Sequence, residues 1–298
     1  MVSDQVHRFT FGDFGYRCRV VENSSPTTEP IVVVGGAFQD MYAYRRLEGL
    51  WSASATVVGV DLPGSGSADE LPASYGFGFL STALNHLLDQ LGLDQVNLFG
   101  ASYGAPVVYG LAQERPERIA RMALVGAAPV YPPAGLHALR AMVNALEAGD
   151  TEAYSRLSVA ALVSPADRAV RNRAVVTRLL ARDMRSVAVA DVQRHIASTR
   201  RVIDWPGLQP GGVNGIPALC FTGEHDSLTL PSLGREVAAT IRGSVFTLIR
   251  EADHLPLLER PREMSELVAR FFTDQPLHGL PYLTPLEHPR ATSLATVP

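Results

Sequence analysis

The segment Gly100-Ala101-Ser102-Tyr103-Gly104 carries the strongest chemical signal in the chain. A serine hydroxyl is a weak nucleophile: it needs exposure, a neighbouring base and donors for a developing oxyanion. A sharp turn from strand into helix supplies the exposure, and its crowded backbone calls for small flanking residues. His254, in Glu251-Ala252-Asp253-His254-Leu255-Pro256, suits the general base, taking the Ser102 proton and later giving it to a leaving group. Asp226, in Thr222-Gly223-Glu224-His225-Asp226, would hold that imidazole in the right tautomer and stabilise its cation. Glu224 is the nearest competitor for the acid, and His225 reads as a loop residue.

These side chains can meet only if the elements before them end on one edge. Residues 96–99, 119–125, 218–221 and 245–249 are short apolar runs of the kind expected for buried parallel strands, as are 31–34 and 55–60. Ser102, Asp226 and His254 each follow such a run, which brings them to the C-terminal edge of one sheet. Residues 77–91 carry Leu80, Leu84, Leu87, Leu88 and Leu91 at helical spacing and stop at Gly92. Further helices are predicted over 42–50, after the turn of residues 100–105 to about 114, and over 256–272, with a β-hairpin over 6–9 and 16–21. Alternating strands and helices imply an α/β fold, a mostly parallel sheet with helices on both faces.

Between Pro129 and Gly215 the rhythm changes. Four helices are predicted in succession, over 135–148, 151–162 (with Asp150 as N-cap), 166–182 and 187–200, and no strand. An all-helical block inside an α/β alternation reads as an inserted lid. The expected organisation is a core of residues 1–130 and 214–275, a lid of 131–213 and a proline-rich tail of 276–298.

On these motifs the chain resembles the α/β-hydrolase superfamily from Ile31 to Phe272. Asp61-Leu62-Pro63-Gly64-Ser65-Gly66-Ser67 is similar to that family's turn after an early strand. Asp253-His254-Leu255-Pro256-Leu257-Leu258-Glu259-Arg260-Pro261 is similar to its histidine segment, where a glycine often precedes the histidine. The resemblance implies that the helical insertion caps the active site and that the backbone N–H groups of Ala37 and Tyr103 form the oxyanion hole. The family's oxyanion loop is commonly His-Gly-x-Pro; here Gly35-Gly36-Ala37-Phe38 stands in its place. A backbone hole does not need that histidine.

Composition narrows the function further. The chain contains no lysine, which removes Schiff-base, Walker-type and lysine-base chemistry. A net charge of -4 argues against a nucleic-acid partner. The histidines are scattered and the two cysteines, Cys18 and Cys220, read as unpaired, so neither a metal, another cofactor nor a disulfide framework is expected. No run has the ~18 apolar residues of a membrane span and the N-terminus lacks a signal-type apolar stretch, which points to a cytoplasmic protein.

The expected activity is hydrolysis of a small-molecule ester or thioester through an acyl-Ser102 intermediate. Phe38, Tyr131, Met142 and Trp205 are the candidate substrate contacts. Residues 131–212 hold eleven arginines against seven acidic residues, with Arg168, Arg171, Arg173, Arg178, Arg182 and Arg185 close together. That run reads either as a solvated helix face or as a collar for an acidic acyl carrier protein or a CoA thioester. Two other classes stay open: a cofactor-free lyase or oxygenase using the His–Asp pair, and a non-catalytic small-molecule receptor.

Overall fold

A computed structural model describes residues 4–290. Strands β1 (Asp4–Phe11) and β2 (Phe14–Val21) form the hairpin. β3 (Ile31–Val34) leads through turns into the short helix α1 (Glu48–Ser52) and β4 (Val57–Asp61). Then follow α2 (Phe77–Gln90), β5 (Val96–Ala101), α3 (Gly104–Glu114) and β6 (Ile119–Val125). Four helices come next: α4 (Pro133–Glu147), α5 (Thr151–Leu162), α6 (Arg173–Arg185) and α7 (Val189–Ile203). The chain returns to the sheet with β7 (Ala218–Gly223), α8 (Pro231–Ala239) and β8 (Val245–Ile249), then ends in α9 (Pro256–Glu259), α10 (Pro261–Phe272) and the tail.

The sheet has eight strands in the order β1-β2-β4-β3-β5-β6-β7-β8. β2 pairs antiparallel with β1 and β4; every later pairing is parallel. β3, β5 and β7 are buried along their whole length because helices cover both faces. On one face Leu80, Leu84, Leu87 and Leu88 of α2 pack with Val107, Val108 and Leu111 of α3 and Val237 of α8. On the other, Trp51 of α1 packs with Met264, Leu267, Val268 and Phe272 of α10.

Helices α4–α7 interrupt the alternation between β6 and β7 and have a small core of their own, including Met142, Leu146, Tyr154, Met184 and Ile196. Asp150 caps α5, accepting from the Ala153 amide at 2.8 Å. The insertion is tied to the sheet layer by Arg201 of α7, a residue only 2% exposed. Its guanidinium donates to the carbonyls of Leu71 and Pro72, both at 2.9 Å, to that of Tyr75 and to the Tyr103 phenol. Arg201→Met leaves the buried Leu71 carbonyl and the buried Tyr103 phenol without this donor, and the part-buried carbonyls of Pro72 and Tyr75 turn to water, so a loss of about 2 kcal/mol is expected in chemical denaturation.

Several boundaries differ from the sequence expectation for identifiable reasons. Residues 42–47 form turns, and helix begins only at Glu48. The predicted helix over 166–182 begins at Arg173, because Arg171 is spent on the histidine segment and Asn172 takes a left-handed φ of 55°. The predicted helix over 256–272 is two helices broken at Arg260, which precedes Pro261 and is pushed out of the helical region. Helix α8 lies outside the sequence expectation. The tail lies along β8: Phe246 and Glu287 exchange backbone hydrogen bonds at 2.8 Å, and Leu283 bridges to Ile249. Tail residues 291–298 lie outside the described residues. No described helix is long and apolar enough to cross a membrane.

Candidate active site

β5 runs straight into the turn that carries Ser102, and α3 begins two residues later. Ser102 has a φ of 46°, a left-handed value that a residue with a side chain rarely adopts. The turn is held by Ser102 N–H donating to the Val125 carbonyl at 2.8 Å and Ala105 N–H to the Ser102 carbonyl at 3.0 Å. Gly104 is obligatory: a Cβ there would lie 2.3 Å from the Val34 carbonyl oxygen.

His254 follows β8 and precedes α9. Its Nε2 is 3.1 Å from Ser102 Oγ, and its Nδ1 is 3.0 Å from Asp226 Oδ2. The ring fits because residue 126 is glycine; a Cβ there would sit 3.1 Å from His254 Cε1. Asp226 is 2% exposed and fully engaged. It accepts from the amides of Leu228 (3.0 Å) and Thr229 (2.8 Å), from Thr229 Oγ1 (2.7 Å) and from the Thr222 hydroxyl. Thr222 and Thr229, which flank the acid in sequence, carry no signal of this role in the sequence itself. Glu224, the rival acid, instead accepts from the Glu251 amide at 2.5 Å.

The electrostatics follow from burial and charge. Burial alone would push the Asp226 carboxyl up, but the His254 charge and hydrogen bond, with the Thr222 and Thr229 hydroxyls, hold it below its ordinary value. Burial would lower His254; the Asp226 carboxylate, its hydrogen bond, Asp253 and Glu259 overcome this and hold the imidazole above its ordinary value. The pair is thus set to store a proton on His254 when a hydroxyl releases one.

A cavity of about 90 Å³ opens at Ser102, room for several waters. Ala37, Phe38, Tyr103, Tyr131 and Met142 all line it, together with His254. Leu139, Ala161, Leu162 and Val202 of the helical insertion and Leu228, Leu255 and Leu257 of the sheet layer complete an apolar wall. Tyr131 faces the Ser102 hydroxyl, and burial pushes its phenol up to about 12. Trp205 is the exception among the predicted contacts. It packs behind Tyr131 and Phe77 and lines a separate open groove of about 860 Å³. Its indole supports the Tyr131 wall from behind.

The loop after β3 has a brace that the sequence does not announce. The Gln39 side chain accepts from the Gly36 amide at 2.7 Å, and Gln39 N–H donates back to the Gly36 carbonyl at 3.2 Å. Phe38 takes a left-handed φ of 64° and stacks on His195 of α7, centroids 4.2 Å apart. Part of the predicted basic collar is neutralised within the chain: Arg171 pairs with Glu251, Arg182 with Asp183 and Arg185 with Glu152. Among the described residues no group of three or more His, Cys, Asp or Glu side chains is gathered to hold a metal ion.

Comparison with known proteins adds three kinds of match. A family model described as alpha/beta hydrolase fold matches residues 29–261. A Mycobacterium tuberculosis protein named only as uncharacterized is 25% identical over 257 residues, covering 81% of this chain and 74% of its own. A 2-hydroxy-6-oxononadienedioate/2-hydroxy-6-oxononatrienedioate hydrolase of Klebsiella pneumoniae is 25% identical over 235 residues, 76% of this chain and 80% of its own. Among solved structures, an alpha/beta hydrolase enzyme from a deep-sea metagenome library superposes with a TM-score of 0.78 at 21% identity, covering 91% of this chain and 98% of that one.

Proposed function

The chain belongs to the alpha/beta hydrolase fold family, and from that premise we propose that it is a serine hydrolase of small esters or thioesters with an apolar acyl group. The observation that carries this reading is the line of hydrogen bonds from Ser102 through His254 to Asp226, opening into an apolar cavity.

In this mechanism Ser102 Oγ attacks the acyl carbon while its proton passes to His254 Nε2. The carbonyl electron pair moves onto oxygen, which the Ala37 and Tyr103 amides receive. Collapse expels the alcohol or thiol, which takes the proton from His254 and leaves an acyl-Ser102 ester. Water then attacks that ester with His254 again as base, releasing the acid and regenerating Ser102. The nucleophile's identity favours acyl over alkyl substrates. Displacement at an alkyl carbon would leave an ether on Ser102, which water does not readily cleave; an acyl ester turns over.

The wall narrows the substrate class. The Klebsiella relative's name gives it a substrate with two carboxylates. Among the described residues no arginine lines the Ser102 cavity, and the chain has no lysine to meet such charges. This supports an uncharged acyl group, and a cavity of about 90 Å³ supports a short chain or a single ring. The internal pairing of Arg171, Arg182 and Arg185 makes an acyl carrier protein the weaker choice of partner.

The test is intact-protein mass spectrometry after a fluorophosphonate. The expected result is one adduct on the wild type and none on Ser102→Ala. An unlabelled but folded wild type would overturn the serine-nucleophile reading in favour of a His–Asp lyase or oxygenase, or of a receptor.

A further inference from the structure

Asp253, immediately before His254, stands where the resembling family often has glycine. It is fully buried. Its side chain meets three backbone amides: Oδ1 accepts from His254 N–H at 2.9 Å and Ser227 N–H at 3.3 Å, and Oδ2 accepts from Ser164 N–H. These donors come from three places: the histidine segment, the loop carrying Asp226, and the insertion just after α5. One carboxylate therefore joins the base, its orienting acid and the helical insertion.

The contact with the insertion is not isolated. Residues 164–172 run along the histidine segment. Arg171 N–H donates to the Glu251 carbonyl at 2.9 Å, and its guanidinium pairs with the Glu251 carboxylate at 2.6 Å. The Asn172 side-chain amide donates to the Glu259 carbonyl at 3.1 Å. On the other side of Ser164, Ala161 and Leu162 line the Ser102 cavity. The cavity wall thus lies within a few residues of the amide seated on Asp253.

We propose that Asp253 is a positioning residue through which the helical insertion, when seated, sets His254 for proton transfer. The inference rests on the reading of Ser102, His254 and Asp226 given above. Asp253 touches no reacting atom; it acts by fixing the main chain at His254 and by placing a negative charge beside the imidazole. Its charge adds to that of Asp226, on the loop after β7, while Glu259, on α9, contributes only once it ionises. Glu259 is itself buried beside Asp253, accepts from the Asp253 amide at 2.7 Å and, chiefly by burial, is pushed up to about 8. A substrate that displaces Ala161 or Leu162 pulls on Ser164, so cavity filling and the placing of the base are mechanically linked.

Two substitutions separate the parts of this inference. Asp253→Asn keeps the shape, removes the charge and presents an NH₂ to one of the amide donors. Ser164→Pro removes the amide donor and leaves the carboxylate in place. Val163, at φ -128° and ψ 117°, already has the conformation required before a proline. Among the described residues the Ser164 hydroxyl has no hydrogen-bond partner whose loss would confuse the result.

The experiment follows the fluorophosphonate labelling rate of the full chain against pH, with circular dichroism to establish folding and [15N]histidine NMR to titrate His254. Asp253→Asn is expected to slow labelling at least tenfold near neutral pH and to move its midpoint, and that of the His254 imidazole, to lower pH. Ser164→Pro is expected to slow labelling in the same direction with a smaller midpoint shift. A folded Asp253→Asn with wild-type rate and midpoint overturns the positioning role. A Ser164→Pro that matches wild type overturns the link to the insertion. Should Asp253→Asn fail to fold, Asp253→Gly carries the same comparison with the residue common in the family. If the wild type itself does not label, the serine-hydrolase reading fails, and the His254 NMR midpoint decides this proposal alone: a downward shift in Asp253→Asn supports it and no shift overturns it.

Discussion

Replacing Ser102 by alanine is expected to lower ester turnover by about 10⁴-fold or more, with the folded state intact. The size of the effect follows from the chemistry. Without Oγ there is no acyl-enzyme, and the two remaining residues can only help water attack directly. In the proposed mechanism the Ala37 and Tyr103 amides and the cavity are untouched, so a residual rate above background is expected. Stability changes little because Oγ lies at the cavity, where it meets His254 Nε2 and the Tyr131 phenol. Steady-state kinetics with a short-chain aryl ester measures the loss, and a burst of aryl alcohol in the wild type, absent from the variant, reports the intermediate. Retention of a tenth or more of the activity would move the weight to a mechanism in which the His–Asp pair abstracts a proton and the serine merely contacts substrate.

Asp226→Asn is expected to lower kcat/KM by about 10⁴-fold near neutral pH, by analogy with the same change in serine proteases. An asparagine amide can face Nδ1 with its NH₂, which would select the wrong tautomer and direct the ring's proton toward Ser102. The pH profile gives a second, independent reading. His254 must be neutral to accept the Ser102 proton, so activity rises with pH through the His254 transition. In the wild type that transition lies above the ordinary histidine value, because the Asp226 charge, its hydrogen bond and the nearby carboxylates outweigh burial. In the Asp226→Asn variant burial gains the upper hand, and the acid limb moves to lower pH while the plateau falls. A limb that stays in place after this substitution would mean that another carboxylate, Glu259 or Asp253, dominates the field at His254.

The parts of this site that the sequence makes legible share one property: they depend on short-range rules. The turn at Ser102 is written in its flanking glycines and in the apolar runs on either side, and the strand ends that carry Asp226 and His254 are marked by the same runs. Residues that act across the fold are less legible. Nothing local to Gln39 says that it braces Gly36, and nothing near Asp253 says that its partner amide lies 89 positions away. The packing of Trp205 is hard to read for a related reason. Proximity to the end of the insertion suggests a substrate contact, but the fold turns the indole to the back of Tyr131. The boundary of α6 shows tertiary contacts overriding local preference, since Arg171 and Asn172 are used to hold the histidine segment.

The tail along β8 has a consequence for how molecules of this protein meet one another. A parallel sheet that ends at β8 would leave a row of unpaired amides and carbonyls, a ready template for another chain's strand. Here Glu287 and Thr284 take up partners on Phe246 and Leu248, and Arg235 clasps the Glu287 carboxylate at 2.7 Å. One of the sheet's two edges is thereby occupied by the protein's own backbone. Edge-to-edge assembly through β8, the simplest route to fibre-like stacking or a continuous sheet between two copies, is closed along that stretch unless the tail is first peeled away.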